Sequence, residues 1–328
     1  MTPQALAAKV PDMSVATQKF PAATDDRARS YALDGRAFAV ARLAPGLHIV
    51  ATPIGNLGDI TLRALQALAG ADVVACEDTR VTRKLLERFA ISTPLTPYHE
   101  HNAAKARPVL LRRMSEGASV ALVSDAGTPL ISDPGYKLVR AAREAGHAVT
   151  ALPGASAVLT AVAVAGLPTD QFMFAGFLPA KVAARRTRIA ELARVAATLV
   201  LFESGPRLGA SLADLAAGLG ADREAAVCRE MTKLHEDIRH GSLASLAEAY
   251  AHQTPRGEIA LVIAPPGEAP AASAAETETL LRQALERLSL KDAVGEVAGA
   301  TGLPRREIYR QALALAEAGT KAKHGAPR

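Results

Sequence analysis

The sequence predicts an α/β protein: two α/β subdomains, followed by a small all-helical C-terminal module. Three observations predict it. Short apolar runs alternate with helical stretches from Leu47 to Leu167, the pattern of a doubly wound unit. A second, less regular series of apolar runs fills residues 169–264. A Pro/Ala/Ser segment then separates both from a helical tail. At 328 residues the chain exceeds one typical domain.

Composition narrows the function. Hydrophobic residues make up 49% of the chain, enough for substantial cores, but aromatics are only 4% and Trp is absent. A surface that stacks bases on many exposed aromatics is therefore excluded. The formal net charge of +5 is compatible with a polyanionic partner. Cys76 and Cys228 lie in apolar runs without metal-ligand spacing and read as core thiols in a reducing compartment. The opening residues MTPQALAAKVPDMS lack a charged segment followed by an apolar run, so a cytoplasmic location is expected. The longest uncharged run, Ala148 to Thr169, is broken by Pro153-Gly154 and closed by Gly166–Pro168, so no membrane span is expected.

Residues 1–45 show no clear periodicity and read as a disordered extension, with a short helix around Arg27 to Arg42. The first subdomain, 46–168, opens with the strand Leu47–Ala51 and the loop TPIGNLGDIT, in which Asp59 or Thr61 caps the next helix. The glycine spacing is G-x-x-G, so a dinucleotide fingerprint is unsupported. The strand Asp72–Cys76 ends in Glu77-Asp78-Thr79-Arg80. Two acids and an arginine there suit a polar cleft; equally, Asp78 is a helix cap and Arg80 a solvated cation. LTPYHEHN, residues 95–102, reads as a polar loop; His99, Glu100 and His101 have no second ligand cluster, and no metal is expected.

The organising stretch is VALVSDAGTPLISDPGY, residues 120–136. Four apolar residues form a buried strand, and the turn formers that follow make a pre-shaped loop at its carboxyl end, where open α/β sheets bind ligands. PGASA, residues 153–157, opens a helix whose free N–H groups can face a ligand.

The second subdomain, 169–264, carries GFLPAK, a basic helix start with Lys181, Arg185, Arg186 and Arg188, then FESGPR and REMTK. Cations at a helix N-terminus oppose the helix dipole, which suggests phosphate contact as readily as a solvated surface. Residues 265–276 form a linker, and 277–316 read as a helix-turn-helix-like module with Arg305-Arg306 opening its last helix. A packing module fits the same pattern. A basic tail, 317–328, closes the chain.

ATPIGNLGDIT, ACEDTR, SDAGTPLISDPG, PGASA, GFLP and REMTK, in that order, resemble the 2′-O-ribose methyltransferases that act on a cytidine of 16S ribosomal RNA. These belong to the tetrapyrrole-methylase-like superfamily. The resemblance spans about Leu47 to Ala264 and the C-terminal helices. It departs at FESGPRL, where Gly205 and Pro206 replace the usual Pro-His pair. It implies S-adenosylmethionine in a cleft between the subdomains, a homodimer, and small-subunit ribosomal RNA or the assembled small subunit as partner. It further implies that Thr128, Pro129, Ile131, Ser132, Ser156 and Ala157 hold the cofactor, with Phe202 and Glu258 on the adenine side. The loop Pro53–Asp59, including Asn56, would face the acceptor.

Methyl transfer needs in-line alignment, worth ~7–11 kcal/mol in favourable cases, and removal of the 2′-OH proton, worth ~10²–10⁴-fold. Glu77, Asp78 and Glu203 are the candidate bases. Arg80, Lys181, Arg207 and Lys233 are candidates for holding phosphates or lowering the hydroxyl pKa, with Arg185, Arg305 and Arg306 as further RNA contacts. Two other readings compete: a methylase of a small tetrapyrrole, and a ligand-sensing nucleic-acid-binding protein.

Overall fold

The structure, a computed structural model, describes residues 29–267 and 274–324. Its first element is set by an Asp-Gly pair. Asp34 and Gly35 both have positive φ, 48° and 74°, as a two-residue hairpin turn demands. They join β1 (Ser30–Leu33) to β2 (Arg36–Ala39) as an antiparallel pair. Tyr31 is buried in the first lobe's core and stacks on Phe38. Arg29 and Arg42 both bond to Asp72, at 2.9 and 2.8 Å. The expected helix around Arg27 to Arg42 is therefore corrected to a docked hairpin. Its strands are too short to show a period, and its anchors are tertiary. Residues 1–28 of the expected extension lie outside the described residues.

The first lobe is a parallel sheet. Its elements run β3 (Gly46–Val50), α1 (Leu62–Gly70), β4 (Val73–Cys76), α2 (Thr79–Arg88), β5 (Leu95–Pro97), α3 (Ala103–Ser115), β6 (Ser119–Val123), α4 (Tyr136–Glu144) and β7 (Val149–Leu152). The strand order is β5-β4-β6-β3-β7, and every pair is parallel. β4 and β6 are buried along their whole length, because helices cover both faces. One face packs Leu65, Leu68 and Leu86; the other packs Leu110, Met114 and Leu138. β5 corrects the expectation of a loop at 95–102: three residues find the free edge of β4, a pairing no local pattern announces. After β3 the chain turns toward β4; after β6 it crosses to β7 on the far side of β3. The loops beyond β3 and β6 thus leave neighbouring strands in opposite directions, the place where such sheets open a crevice.

The helix α5 (Ala157–Val164) crosses over. Its Val158, Ala161 and Val162 pack on Val200, Ala226 and Val262 of the second lobe. The expected boundary at 168 placed this helix in the first subdomain; by packing it belongs to the second sheet, which would otherwise expose an apolar face. That lobe continues with β8 (Phe172–Phe177), α6 (Val182–Leu192), β9 (Thr198–Ser204), α7 (Gly205–Leu219), β10 (Glu224–Arg229), β11 (Asp237–Ser242), α8 (Leu243–Tyr250) and β12 (Glu258–Ile263). Its order is β11-β10-β12-β9-β8; β8 and β9 are parallel and the other pairs antiparallel. Helices α6, α7 and α8 cover the opposite face.

The C-terminal module contains α9 (Ala274–Leu285), α10 (Leu290–Thr301) and α11 (Arg305–His324) around Leu281, Val294, Val297 and Ile308. Ser289 caps α10, and Gly302, at φ 70°, ends it before the turn. The helix-turn-helix outline matches the sequence expectation, with α9 starting three residues inside the expected linker.

Candidate active site between the two lobes

The loops beyond β3 and β6 are stitched together chiefly by backbone, with Thr52 Oγ1 adding a 3.5 Å bond to the Ser124 carbonyl. Thr52 and Gly127 exchange two N–H···O bonds, each of 2.9 Å. Gly127 has φ 74°, and a Cβ there would come 3.3 Å from Ile54. Further along, Leu130 and Ser132 are non-glycine residues at φ 76° and 65°. Facing them, the turn after β10 holds Glu230 and Thr232 at φ 51° and 66°. Left-handed non-glycine residues are uncommon and costly, and they concentrate at functional sites. Here one from each pair, Ser132 and Glu230, lines the same cavity.

That cavity has a volume of about 340 Å³, within the ~300–1,000 Å³ of small-molecule sites. Thr128, Ile131, Ser132, Ser156, Ala157, Phe202 and Glu258, the residues expected to hold a cofactor, all line it. Pro129 does not; it is buried within the loop. Ser156 caps α5, its Oγ accepting the Leu159 N–H. Phe177 lies edge-on to Phe202 at 5.6 Å, adding an aromatic wall.

Charge in the cavity wall is one-sided. Asp125, Asp133, Glu203, Glu230 and Glu258 line it, with Lys233 as the single lysine or arginine among the described residues. Burial pushes the Asp125 and Asp133 carboxyls up from the ordinary range, with Asp78 adding to the first and Asp125 to the second. On the opposite wall, bonds from Lys233 and the Glu258 N–H hold Glu230 down. Asp125, Asp133, Glu230, Met231 and Phe177 were not among the expected site residues. The carboxylates of SDAGTPLISDPG read as turn formers, although their density after a buried strand was the available signal.

The structure separates the candidate bases. Glu203 lines the cavity but is engaged: its Oε1 accepts the Ser204 N–H, its Oε2 accepts Ser211 Oγ at 2.6 Å, and Arg207 lies 3.3 Å away. Asp78 lies outside the cavity wall; it caps α2 and pairs with Arg80 at 2.6 Å, which lowers its pKa to about 2. Its N–H donates to Asp125 Oδ1 at 3.0 Å, so it touches the site through Asp125. Glu77 is outside the wall as well, its pKa raised by burial and then by Asp133, Asp125 and Asp78.

The expected RNA contacts separate too. Arg185 is buried and bound to Asp214 at 2.6 Å, with Arg186 on the other oxygen; the expectation of a phosphate contact at Arg185 is corrected, because the cation is internal. Arg207 Nη2 donates to the carbonyls of Leu178 and Pro179, so it braces the GFLP loop. Lys181 is exposed at the start of α6. Asn56 is exposed, its Oδ1 accepting the Gly58 N–H. Arg305 and Arg306 are exposed on α11, in the C-terminal module. Lys233 alone among these lines the cavity.

Comparison with known proteins agrees with this architecture. Residues 46–247 match the family model of tetrapyrrole (corrin/porphyrin) methylases, and residues 271–316 match the RsmI C-terminal HTH domain. A ribosomal RNA small subunit methyltransferase I of Mesorhizobium japonicum is 51% identical over 274 residues, covering 83% of this chain and 93% of that one. Its counterpart in Erythrobacter litoralis is 54% identical over 273 residues, covering 83% and 96%. The fold also matches a conserved hypothetical protein of Aeropyrum pernix K1, with TM-score 0.55, 20% identity, and coverage of 84% and 98%. The first match covers the first lobe and most of the second, between which the cavity lies, and the second match covers the helical module as far as residue 316. The chain belongs to the tetrapyrrole methylase family and, within it, to the ribosomal RNA small subunit methyltransferase I family.

Proposed function

We propose that the protein transfers the methyl group of S-adenosylmethionine to the ribose 2′-OH of a cytidine in small-subunit ribosomal RNA. The observation that carries this reading is the cavity between the lobes, walled by five carboxylates and one lysine, joined to a chain that ends in a helix-turn-helix module. The small-molecule and ligand-sensing alternatives leave either the module or the charged cavity without a purpose.

The residues present fit a sulfonium cofactor. Excess negative charge suits a cationic group, Phe177 and Phe202 offer π faces to a cation or an adenine, and the Gly127 turn lets backbone approach closely. Thr128, Ile131 and Ser132 would hold the methionine and ribose part, with Ser156 and Ala157 adding to it, and Phe202 with Glu258 would line the adenine side. When bound, S-adenosylmethionine supplies an electrophilic methyl group. The acceptor hydroxyl must lose its proton as the C–O bond forms. Asp125 is suited to accept that proton. It lines the cavity on its exposed side, its Oδ1 is oriented by the Asp78 N–H, and no ion pair among the described residues neutralises it. Positioning by two rigid walls supplies the rest, on the order of 7–11 kcal/mol in favourable cases. A 2′-OH acceptor makes the reaction selective for RNA over DNA.

The reading includes a homodimer in the cytoplasm. Leu159 and Val164 on α5 and Phe172 on β8 are exposed apolar side chains, which supports a second copy covering them. No described helix is long and apolar enough to cross a membrane.

The test is to incubate the protein with methyl-labelled S-adenosylmethionine and, separately, small-subunit RNA, assembled small subunits and a tetrapyrrole. Label recovered as 2′-O-methylcytidine after RNA digestion is the expected result. Label in the tetrapyrrole, or on a base, overturns the proposal.

A further inference from the structure

Lys233 reaches out of the second lobe and rests on the first. A Cβ built on Gly55, in the loop beyond β3, would overlap Cγ of Lys233 and stand 2.6 Å from its Cε. Gly55 does not have the positive φ that would require glycine. What the position requires is the absence of a side chain, because the lysine stem occupies that space.

The other end of Lys233 is held as closely. Its Nζ bonds Glu230 Oε1 at 2.9 Å and Glu258 Oε2 at 2.6 Å. Glu230 Oε1 also accepts the Glu258 N–H at 3.0 Å. Gly257, at φ 100°, leaves room for Glu230: a Cβ there would come 2.6 Å from Glu230 Cγ. The turn that presents Lys233 is held in the left-handed region at Glu230 and Thr232, with the Thr232 N–H donating to Glu236 at 2.5 Å. Two glycines, two carboxylates and a strained turn thus place one stem.

We propose that Lys233 is a positioning residue for the methyl transfer: seated on Gly55, it ties the turn at residues 230–236 to the loop Pro53–Asp59 and sets the spacing between the cavity and the RNA-facing loop. This rests on the proposed reading, in which that loop faces the acceptor. With two carboxylates on its ammonium, Lys233 stays charged and takes no proton from the acceptor. Its effect is exerted through the loop it supports.

The experiment uses the full-length protein with Gly55→Ala, Lys233→Ala and the double substitution. Amide hydrogen exchange is followed at residues 54–59 and 230–236, S-adenosylmethionine affinity by calorimetry, and kcat and KM on the RNA substrate. Each single change is expected to lower kcat about tenfold or more, with KM for RNA within about threefold. In Lys233→Ala, exchange at residues 54–59 is expected to quicken by about tenfold. The double variant is expected to be no worse than Lys233→Ala, because both changes remove one contact. Multiplying effects in the double variant, or unchanged loop exchange in both single variants, overturns the proposal. A rise in KM alone with a shallower salt dependence also overturns it, since Lys233 would then be a phosphate ligand. Should the unmodified protein methylate no RNA, the functional reading fails, while the exchange measurements still decide the tether.

Discussion

The two walls of the cavity are built from different interactions. The first-lobe wall is held by uncharged contacts: the Thr52–Gly127 backbone pair, the Thr128 hydroxyl on the Ala155 carbonyl, and the left-handed residues Leu130 and Ser132. Its carboxylates, Asp125 and Asp133, have no ion pair with Lys or Arg among the described residues. The second-lobe wall is held by charge: Glu203 with Arg207, and Lys233 between Glu230 and Glu258. Behind it Asp214 binds Arg185 and Arg186. The difference teaches a division of labour. Carboxylates paired with cations build the frame; those left without one remain available for proton transfer.

The sharpest way to break this comparison is Asp125→Asn. It is expected to lower turnover by about 10²–10⁴-fold with the denaturation midpoint nearly unchanged; single-turnover methyl transfer and a denaturant melt measure the two effects. Asp214→Ala is the converse. Removing one member of a buried ion pair costs about 3–5 kcal/mol, and the loss should register in the melt, while cofactor affinity at a temperature where the variant is folded stays near that of the parent. Gly127→Ala tests the backbone wall. A left-handed non-glycine residue costs about 1–2 kcal/mol, and the tight 3.3 Å contact with Ile54 should add weaker cofactor binding by calorimetry.

The smallest effect, and the one with opposite signs on the two walls, is the pH response. Asp125 and Asp133 are raised above 3.8, so burying their charge costs stability above those raised values, and the cost disappears as pH falls through them. Glu230 is lowered from 4.5; its contribution is complete above 4.5 and is lost as pH falls through the lowered value. Methyl transfer is therefore expected to show an acid limb above pH 3.8 that Asp125→Asn abolishes. Glu230→Gln should instead flatten part of the acid loss of stability, read from melts across the acid range.

Much of the site was legible because its signals are local. A strand buried on both faces and the crowd of turn formers after it need only neighbouring residues to be recognised, and Asp125–Thr128, Ile131 and Ser132 of that loop line the cavity. Capping was legible only as alternatives, Asp59 or Thr61 for α1 and cap or cleft acid for Asp78; Thr61 and Asp78 are the caps. The hairpin at Asp34-Gly35 carried a local signal too, but strands of four residues gave it no period to support it.

What the amino-acid order determined by itself was the alternation of strands and helices, the loop at the carboxyl end of β6 and the separate helical tail, because apolar period and turn chemistry act over a few residues. Only the tertiary structure decided which charges are spent. Arg185 and Arg207 look like free cations until Asp214 and the carbonyls of Leu178 and Pro179 meet them. Lys233 looks like any surface lysine until Gly55 lies beneath it. Neutralisation and steric contact depend on distance in space, and residues far apart along the chain acquire that distance only when the lobes pack.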